Sequence, residues 1–329
     1  MLYIGTYVLV LLFSKFGIYL ALRFRIYDQP GDLKIHKKPI PYLGGIAVFF
    51  AVLLSALINH IYASRLFLFS SPFLILGLYD DIKSVSSRTR FIIESILSFI
   101  LILFGLRLPI NIAISVILTY LFIVGAVNAV NWMDGMDGLL TGISVIVSLG
   151  YYFLAKQIGH PWIPNFCLIF ISALLGFLAF NFRPAKIFLG DAGSYFIGFT
   201  FAYIGITLLK FDFSWKLFAS VLSVIGVFIV DSTIAVLRRI RLGRHPFHGD
   251  RSHIYDQIYK RTGKYVLTVL LMYVMAALGV GLGIVTFTMS SPWYLIIWLA
   301  GVIFVYSFLI KLKFVSVGPE MKEAKEPMT

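Results

Sequence analysis

Residues 221–237 read VLSVIGVFIVDSTIAVL. Apolar side chains fill this run almost without interruption, so it lacks the two-residue alternation of a half-buried or barrel strand. As a helix rising about 1.5 Å per residue, it spans most of a hydrocarbon core about 30 Å thick. Residues 92–106, IIESILSFILILFGL, have the same character. Backbone N–H and C=O groups in lipid must pair internally, which leaves helices or a closed barrel, and unbroken apolar runs select helices. Composition extends the conclusion to the whole chain. Of its 329 residues 60% are hydrophobic and 13% charged, with a mean hydropathy of +0.92, against about 25% charged in a typical soluble domain. The expected fold class is all-α, integral to a membrane and polytopic.

Breaks in hydropathy predict a bundle of about eleven transmembrane helices, near residues 3–24, 42–60, 66–79, 91–106, 110–127, 138–156, 165–181, 192–209, 217–237, 265–288 and 293–311. No basic residue precedes Lys15, so the positive n-region of a secretory leader is missing and the first segment reads as a retained helix. Residues 1–314 form one transmembrane domain, and 315–329 a short charged tail expected to be disordered. The single cysteine, Cys167, lies in an apolar run and excludes a disulfide framework or a Cys-based zinc site.

A net charge of +13 raises nucleic acid as a partner, but the distribution of that charge assigns it to topology. One alternate set of loops holds only Arg65, Arg107, Lys156, Lys210 and Lys216. The other set holds the remaining basic residues except Lys15, which falls inside the first span. By the positive-inside rule the basic set is cytoplasmic, the N-terminus outside and the C-terminus inside. Acidic residues do not follow that rule, yet Asp28, Asp32, Asp80, Asp81, Asp134, Asp137, Asp191, Asp250 and Asp256 all fall on the same face, with Asp212 on the other. Topology alone does not ask for this. A cation site, or an anionic substrate held through a cation, does.

Four clusters on that face carry the candidate chemistry. Asp80 and Asp81 end the third span, where two adjacent carboxylates need solvent or a cation; a solvated turn is the plain structural alternative. Asn128, Asn131, Asp134 and Asp137 recur every third position, which aligns them on one face if the fifth span continues helically. Gly135 and Gly138 would let the backbone approach a ligand there. Asp191 stands between glycines before an apolar run, as an N-cap or at a phosphate-binding helix start, with Lys186 adding charge. The loop from Arg238 to Lys264 includes HPFHGDRSH at 245–253, suited to anionic headgroups or to a phosphate lid; its spacing matches no familiar zinc site. Asp231, embedded in the ninth span, is either functional or a hydrogen-bonded partner of a neighbouring helix. Hard carboxylate and amide oxygens without cysteine favour Mg²⁺, or Mn²⁺, held by one or two carboxylates plus substrate phosphates. The residues themselves thus point to phosphoryl or diphosphate chemistry at a cytoplasmic membrane surface.

In these clusters, and from His36-Lys37-Lys38-Pro39 and Gly44-Gly45-Ile46 to near Ile258, the sequence resembles the polyprenyl-phosphate N-acetylhexosamine-1-phosphate transferases, the group that includes WecA, TagO and MraY. The resemblance implies a bundle of ten or eleven helices with its active site in cytoplasmic loops, in a bacterial inner membrane. It implies a reaction in which a lipid phosphate oxygen, that of undecaprenyl phosphate, attacks the β-phosphorus of a UDP-sugar. UMP leaves, and a lipid diphosphate sugar is made for cell-envelope polysaccharide synthesis. By position, Asp191 matches the metal-binding aspartate, with Asn131 as a second ligand. Asp80 and Asp81 match the family's paired aspartates, and Asn128, Asp134 and Asp137 the segment lining the nucleotide site. Arg251 and His253 match the basic loop that engages the diphosphate, and Lys83, Arg90 and Lys186 supply further charge for substrate. A homodimer is one assembly compatible with this reading.

The last cluster departs from its relatives. WecA-like members commonly read His-Ile-His-His, whereas this chain reads His253-Ile254-Tyr255-Asp256. N-acetylglucosamine is the expected donor sugar, with a diacetylated or 6-deoxy amino sugar as alternative. The absence of the Pro-Ile-His-His-His run argues against MurNAc-pentapeptide. A phosphate monoester has its second pKa near about 6, so the attacking oxygen needs no general base, and Asp80 and Asp81 are expected to place metal or substrate. A secondary transporter of an anionic metabolite is the competing class, but it wants ionisable residues near the midplane.

Overall fold

A computed structural model describes residues 2–28, 39–244 and 252–315. Thirteen helices account for nearly all of it, and every predicted span coincides with a helix or helix pair. They are α1 (Leu2–Phe24), α2 (Gly44–Ile58), α3 (Ser64–Lys83), α4 (Ser87–Leu103), α5 (Ile112–Trp132), α6 (Leu139–Gln157), α7 (Ile163–Asn181), α8 (Gly190–Phe211), α9 (Trp215–Val224), α10 (Gly226–Arg241), α11 (Ile254–Thr262), α12 (Tyr265–Thr288) and α13 (Trp293–Lys311). Among the described residues seven helices are long and apolar enough to cross a membrane, or eight if the bent α9–α10 pair is one span. Of the other predicted spans, α2 and α4 have only 15 and 17 residues, and α3 carries Arg65, Asp80, Asp81 and Lys83 at its ends.

Helix α8 is the axis of the bundle, buried along almost its whole length and packed on α2, α3, α5 and α6. With no hydrophobic force between helices in lipid, close packing of small residues supplies the attraction. Gly77 shows the limit of that approach, since a Cβ there would stand 2.4 Å from the backbone carbon of Asp191. Any larger residue would push α3 off α8. At the rim, α13 packs on α12 and α9 and buries little of its surface.

Three features differ from the expected pattern. The ninth span is not one rod but bends by 72° between α9 and α10. Gly226 weakens the helix there, and the hydroxyls of Ser220 and Ser223 donate back to the carbonyls of Lys216 and Ala219 at 2.8 and 2.9 Å, a combination that bends helices. Helix α5 runs to Trp132, so Asn128 and Asn131 lie inside it. A short antiparallel ladder, β1 (Tyr27–Asp28) with β2 (Ile40–Pro41), pairs Tyr27 with Pro41 and Asp28 with Ile40. Phe188 N–H donates to Pro41 C=O at 2.8 Å, which ties the ladder to the entry of α8.

Candidate active site

The site lies where α3, α5, α7 and α10 end and α4, α6, α8 and α12 begin. Two cavities meet there and share Asn131, Asp134 and Gly135. The larger, about 820 Å³, is rich in carboxylates: Asp28, Asp81, Asp134, Asp137 and Asp191, faced by Arg183 and Lys186. The smaller, about 250 Å³, holds Arg90, Arg239 and His253 with Asn128 and Trp132. Opposite charge is thus sorted into adjoining lobes.

The acidic lobe is built on backbone donors. Asp81, in the last turn of α3, accepts from the N–H of Asp191 at 2.8 Å and of Ala192 at 3.2 Å. It therefore caps α8 from a neighbouring helix, satisfying two of the N–H groups that every helix start leaves unpaired. Gly190 makes this possible: its φ is +70°, and a Cβ would stand 2.5 Å from Asp81 Oδ2. Asp191 itself is not the N-cap, one of the two readings of its sequence. It sits inside the first turn of α8, behind Leu189 as cap, because Asp81 already serves that end, and its side chain turns into the lobe, 30% exposed.

Asp80 faces away from Asp81 and is buried. Its Oδ1 accepts from Val85 N–H at 2.6 Å, and its Oδ2 from Arg90 Nη1 at 2.8 Å and Tyr195 Oη at 3.3 Å. Arg90 Nη1 also lies 3.6 Å from Asp191 Oδ2, so it bridges the lobes. Each paired aspartate thus has both oxygens engaged in holding other groups.

The period-three stripe expected over 128–137 does not survive as one face, because α5 ends at Trp132 and Gly138, at φ +75°, opens α6. Its members fan out instead. Asn128 donates to Glu94 Oε2 at 2.5 Å, and Asn131 Oδ1 accepts from Ser194 Oγ at 2.9 Å. Asp137 Oδ2 accepts from Ala185 N–H at 3.1 Å, while its own N–H donates to Tyr265 Oη. Asp134 remains in the turn between lobes, where burial, with the charge of Asp137 adding, pushes its carboxyl up to about 7.

The basic lobe is held by side chains. Buried Asp231, on α10, receives His253 Nδ1 at Oδ2 (2.6 Å) and Ile254 N–H at Oδ1 (2.7 Å). It is therefore the hydrogen-bonded partner of the segment entering α11. His253 Nε2 lies 3.4 Å from Arg239 Nη2, and the Arg239 guanidinium stacks 5.0 Å from the Trp132 ring centroid. Tyr255, whose ring stacks on His253, donates to Trp132 C=O at 3.0 Å.

The structure brings together Asp80, Asp81, Arg90, Asn128, Asn131, Asp134, Asp137, Lys186, Asp191 and His253. Lys83 is exposed and lines neither lobe. Arg251 lies outside the described residues. Sequence reading missed Glu94, Trp132, Tyr195, Arg239 and Tyr265. Glu94 was visible as a lone acid in an apolar run, and Tyr195 carried no signal. Among the described residues no three His, Cys, Asp or Glu side chains form a metal cage. The donor set fits a cation that takes few protein ligands: Asp191 is partly open, and Asn131 Oδ1 keeps a second lone pair beside its bond from Ser194.

The profile of glycosyl transferase family 4 matches residues 63–209, from α3 to α8. A Bacillus subtilis (strain 168) protein named "Probable undecaprenyl-phosphate N-acetylglucosaminyl 1-phosphate transferase" is 32% identical over 291 residues, 83% of this chain and 80% of that protein. Proteins named "Undecaprenyl-phosphate alpha-N-acetylglucosaminyl 1-phosphate transferase" are 27% identical in Thermotoga maritima (77% of this chain, 79% of that protein) and 26% identical in Escherichia coli K12 (94% and 90%).

Proposed function

The chain belongs to glycosyl transferase family 4, the polyprenyl-phosphate N-acetylhexosamine-1-phosphate transferases, and on that premise we propose that it transfers N-acetylglucosamine 1-phosphate from UDP-N-acetylglucosamine to undecaprenyl phosphate. The names of its relatives supply the substrates. The observation that carries the reading is the charge-sorted double lobe, which suits two phosphorylated substrates and a divalent cation meeting at Asn131–Gly135. An apolar groove of about 490 Å³ between α5 and the bent α9–α10 pair includes Ala129 and Val130, which lie between lobe residues Asn128 and Asn131 in the sequence, and suits a prenyl chain.

In the reaction an oxygen of the lipid phosphate bonds to the β-phosphorus of the donor, and the bond from that phosphorus to the bridging oxygen breaks. UMP leaves with the bridging oxygen. The nucleophile is already largely deprotonated at neutral pH, and phosphoryl transfer then depends on positioning and charge neutralisation. Asp80 and Asp81 serve placement: one fixes Arg90 and the other fixes the start of α8. Arg90 and Lys186 offset phosphate charge, and the turn at Asp134–Asp137 orders the wall between the lobes. Mg²⁺, held by Asp191 with Asn131, would supply neutralisation of the diphosphate.

The excess of basic residues in the loops at this end supports a cytoplasmic location for it, in a topology of eleven crossings with the N-terminus outside. The test is UMP release by purified protein in detergent, given UDP-N-acetylglucosamine, undecaprenyl phosphate and Mg²⁺. Release that requires the lipid and stops with EDTA is expected. Silence with every UDP-sugar, from folded protein, would overturn the reading.

A further inference from the structure

At the end of the bundle opposite the cavities basic residues are few, and three of them converge. Helices α3 and α8 run antiparallel, with the rings of Phe73 and Phe199 stacked at 4.8 Å and those of Phe69 and Tyr203 edge to face at 6.3 Å. The next turn in each direction sets Arg65 opposite Thr207, three residues before Lys210. Lys210 Nζ donates to Gly105 C=O at 2.7 Å, in the turn between α4 and α5. Arg107 follows in that turn, exposed between buried Leu106 and Leu108, so its side chain faces outward. The charges of Arg65 and Arg107 both reach Lys210.

Among the described residues nothing neutralises the group, since no carboxylate lies within ion-pair distance of any of the three. The five turns at this end lie wholly within the described residues, and Asp212 is the only acid in them. Residues 29–38, 245–251 and 316–329 all join the chain at the other end. Asp28 and Pro39 line the large cavity there, Arg239 and His253 line the small one, and Phe314 C=O accepts from Gln257 of α11. Lys210 keeps two N–H donors beyond its bond to Gly105, and both arginines keep all of their side-chain donors. Leu68, Leu103, Phe104 and Phe211, neighbours of the three along the chain, are exposed hydrophobic residues. Tyr62, Trp162, Trp215 and Trp293 stand in or beside the turns of this end, as the aromatic belt of a lipid–water interface does.

We propose that Arg65, Arg107 and Lys210 form a site for the headgroup phosphate of an anionic phospholipid, in the leaflet farther from the cavities. Three cations at the edge of an apolar surface match a phosphodiester that carries its own acyl chains, which lie along Leu68, Leu103 and Phe104. A soluble anion would leave that apolar border unused. The bound lipid ties α3 and α8 to the turn between α4 and α5. Two of these elements carry Asp80, Asp81 and Asp191 at their other ends. The site needs only that the bundle spans a bilayer, and it stands whether or not the chain is a transferase.

A purely structural role predicts something different. Lys210 would then only hold the Gly105 carbonyl, and the arginines would be solvated. Their loss would change stability without changing the preference for one lipid over another.

The experiment counts lipids bound to the purified full chain by native mass spectrometry from a non-ionic detergent. Dioleoylphosphatidylglycerol is titrated against dioleoylphosphatidylcholine, and then against inorganic pyrophosphate. The parent is expected to bind its first phosphatidylglycerol at least about 10-fold more tightly than phosphatidylcholine, with pyrophosphate failing to displace it. Each cation near an anionic lipid is worth about 5-fold in affinity. Arg65→Gln should therefore weaken phosphatidylglycerol about 5-fold, and the triple variant with Arg107→Gln and Lys210→Gln about 100-fold, with phosphatidylcholine unchanged. The rise in melting temperature that phosphatidylglycerol gives the parent should vanish in the triple variant. If that variant does not fold, because Lys210 also holds Gly105, the pair Arg65→Gln and Arg107→Gln carries an expectation of about 25-fold. Lys156→Gln, at the same end but stacked on Tyr152, is expected to bind like the parent. The proposal is overturned if the parent does not distinguish the two lipids, or if the triple or double variant keeps its phosphatidylglycerol affinity. It is also overturned if Lys156→Gln weakens binding as much as Arg65→Gln, which would mean unspecific attraction, or if pyrophosphate displaces the lipid, which would mean a site for soluble anions.

Discussion

The two lobes solve the same problem, holding charge still in a low-dielectric setting, by different means. In the acidic lobe the fixed points are backbone amides: Asp81 is locked by the N–H groups of Asp191 and Ala192, and Asp137 by that of Ala185. In the basic lobe the fixed points are other side chains, Asp231 to His253 to Arg239, and Asp80 to Arg90. A carboxylate can be steadied by main chain because helix starts supply donors with no partner. A guanidinium can likewise use the unpaired carbonyls of helix C-termini, as Arg261 does with Leu312 C=O, but Arg90 and Arg239 lie against side chains. The acidic lobe is therefore part of the fold itself, whereas the basic lobe can be retuned by point substitution.

The comparison can be broken in three places. The largest effect is expected at Asp191, the acid whose side chain is partly open to the lobe. Asp191→Asn should lower the turnover seen as UMP release by about 100- to 1000-fold, the usual scale for losing one electrostatic stabiliser, with the melting point nearly unchanged. A large loss of stability would mean that this residue too is part of the scaffold. Next comes Asp81. Asp81→Ala strips the acceptor from two buried N–H groups and should cost about 3 kcal/mol of stability, measured by thermal unfolding in detergent, in addition to activity. A neutral result would show that α8 does not depend on α3 for its cap.

The smallest effect, and the one that sharpens the contrast most, concerns Asp134. Burial and Asp137 raise its carboxyl from 3.8 to about 7 in the folded chain. The folded state then binds more protons than the unfolded state between those values, so stability falls as pH rises through that window. Asp134→Asn removes the titration. In EDTA, its melting point relative to the parent should climb from pH 5 to pH 8 and level off above. A difference that stays flat with pH would show that the carboxyl is not held up by its surroundings.

Much of this molecule was legible in its sequence because lipid constrains the chain so strongly. Apolar runs marked every helix but α11 to within about five residues, with α9 and α10 read as one span, and the crowding of aspartates on one side pointed to the end of the bundle where the two cavities lie. Period and partner choice were harder to read. The stripe over Asn128–Asp137 looked like one helical face, but α5 ends at Trp132 and Gly138 opens α6, and its members point to α4, α8 and the loop before α8. The cap of α8 is supplied by Asp81, more than a hundred residues earlier, and no local pattern marks a cap in trans. Asp231 was visible as an oddity in an apolar run. That it holds His253 depends on the bend at Gly226 and on the return of the chain through α11, which are tertiary facts. Arg239 was hidden among other arginines that end α10.

The most direct test of the central claim is the fate of phosphorus. Donor labelled with ³²P at the β-position is supplied with undecaprenyl phosphate, Mg²⁺ and purified protein, and the lipid and water phases are separated. The expected result is label in the lipid phase in one-to-one proportion with UMP released. Label remaining in water, as UDP or as sugar 1-phosphate, would mean that another bond is broken or that water is the acceptor, and would contradict the assignment of these two lobes to sugar-1-phosphate transfer.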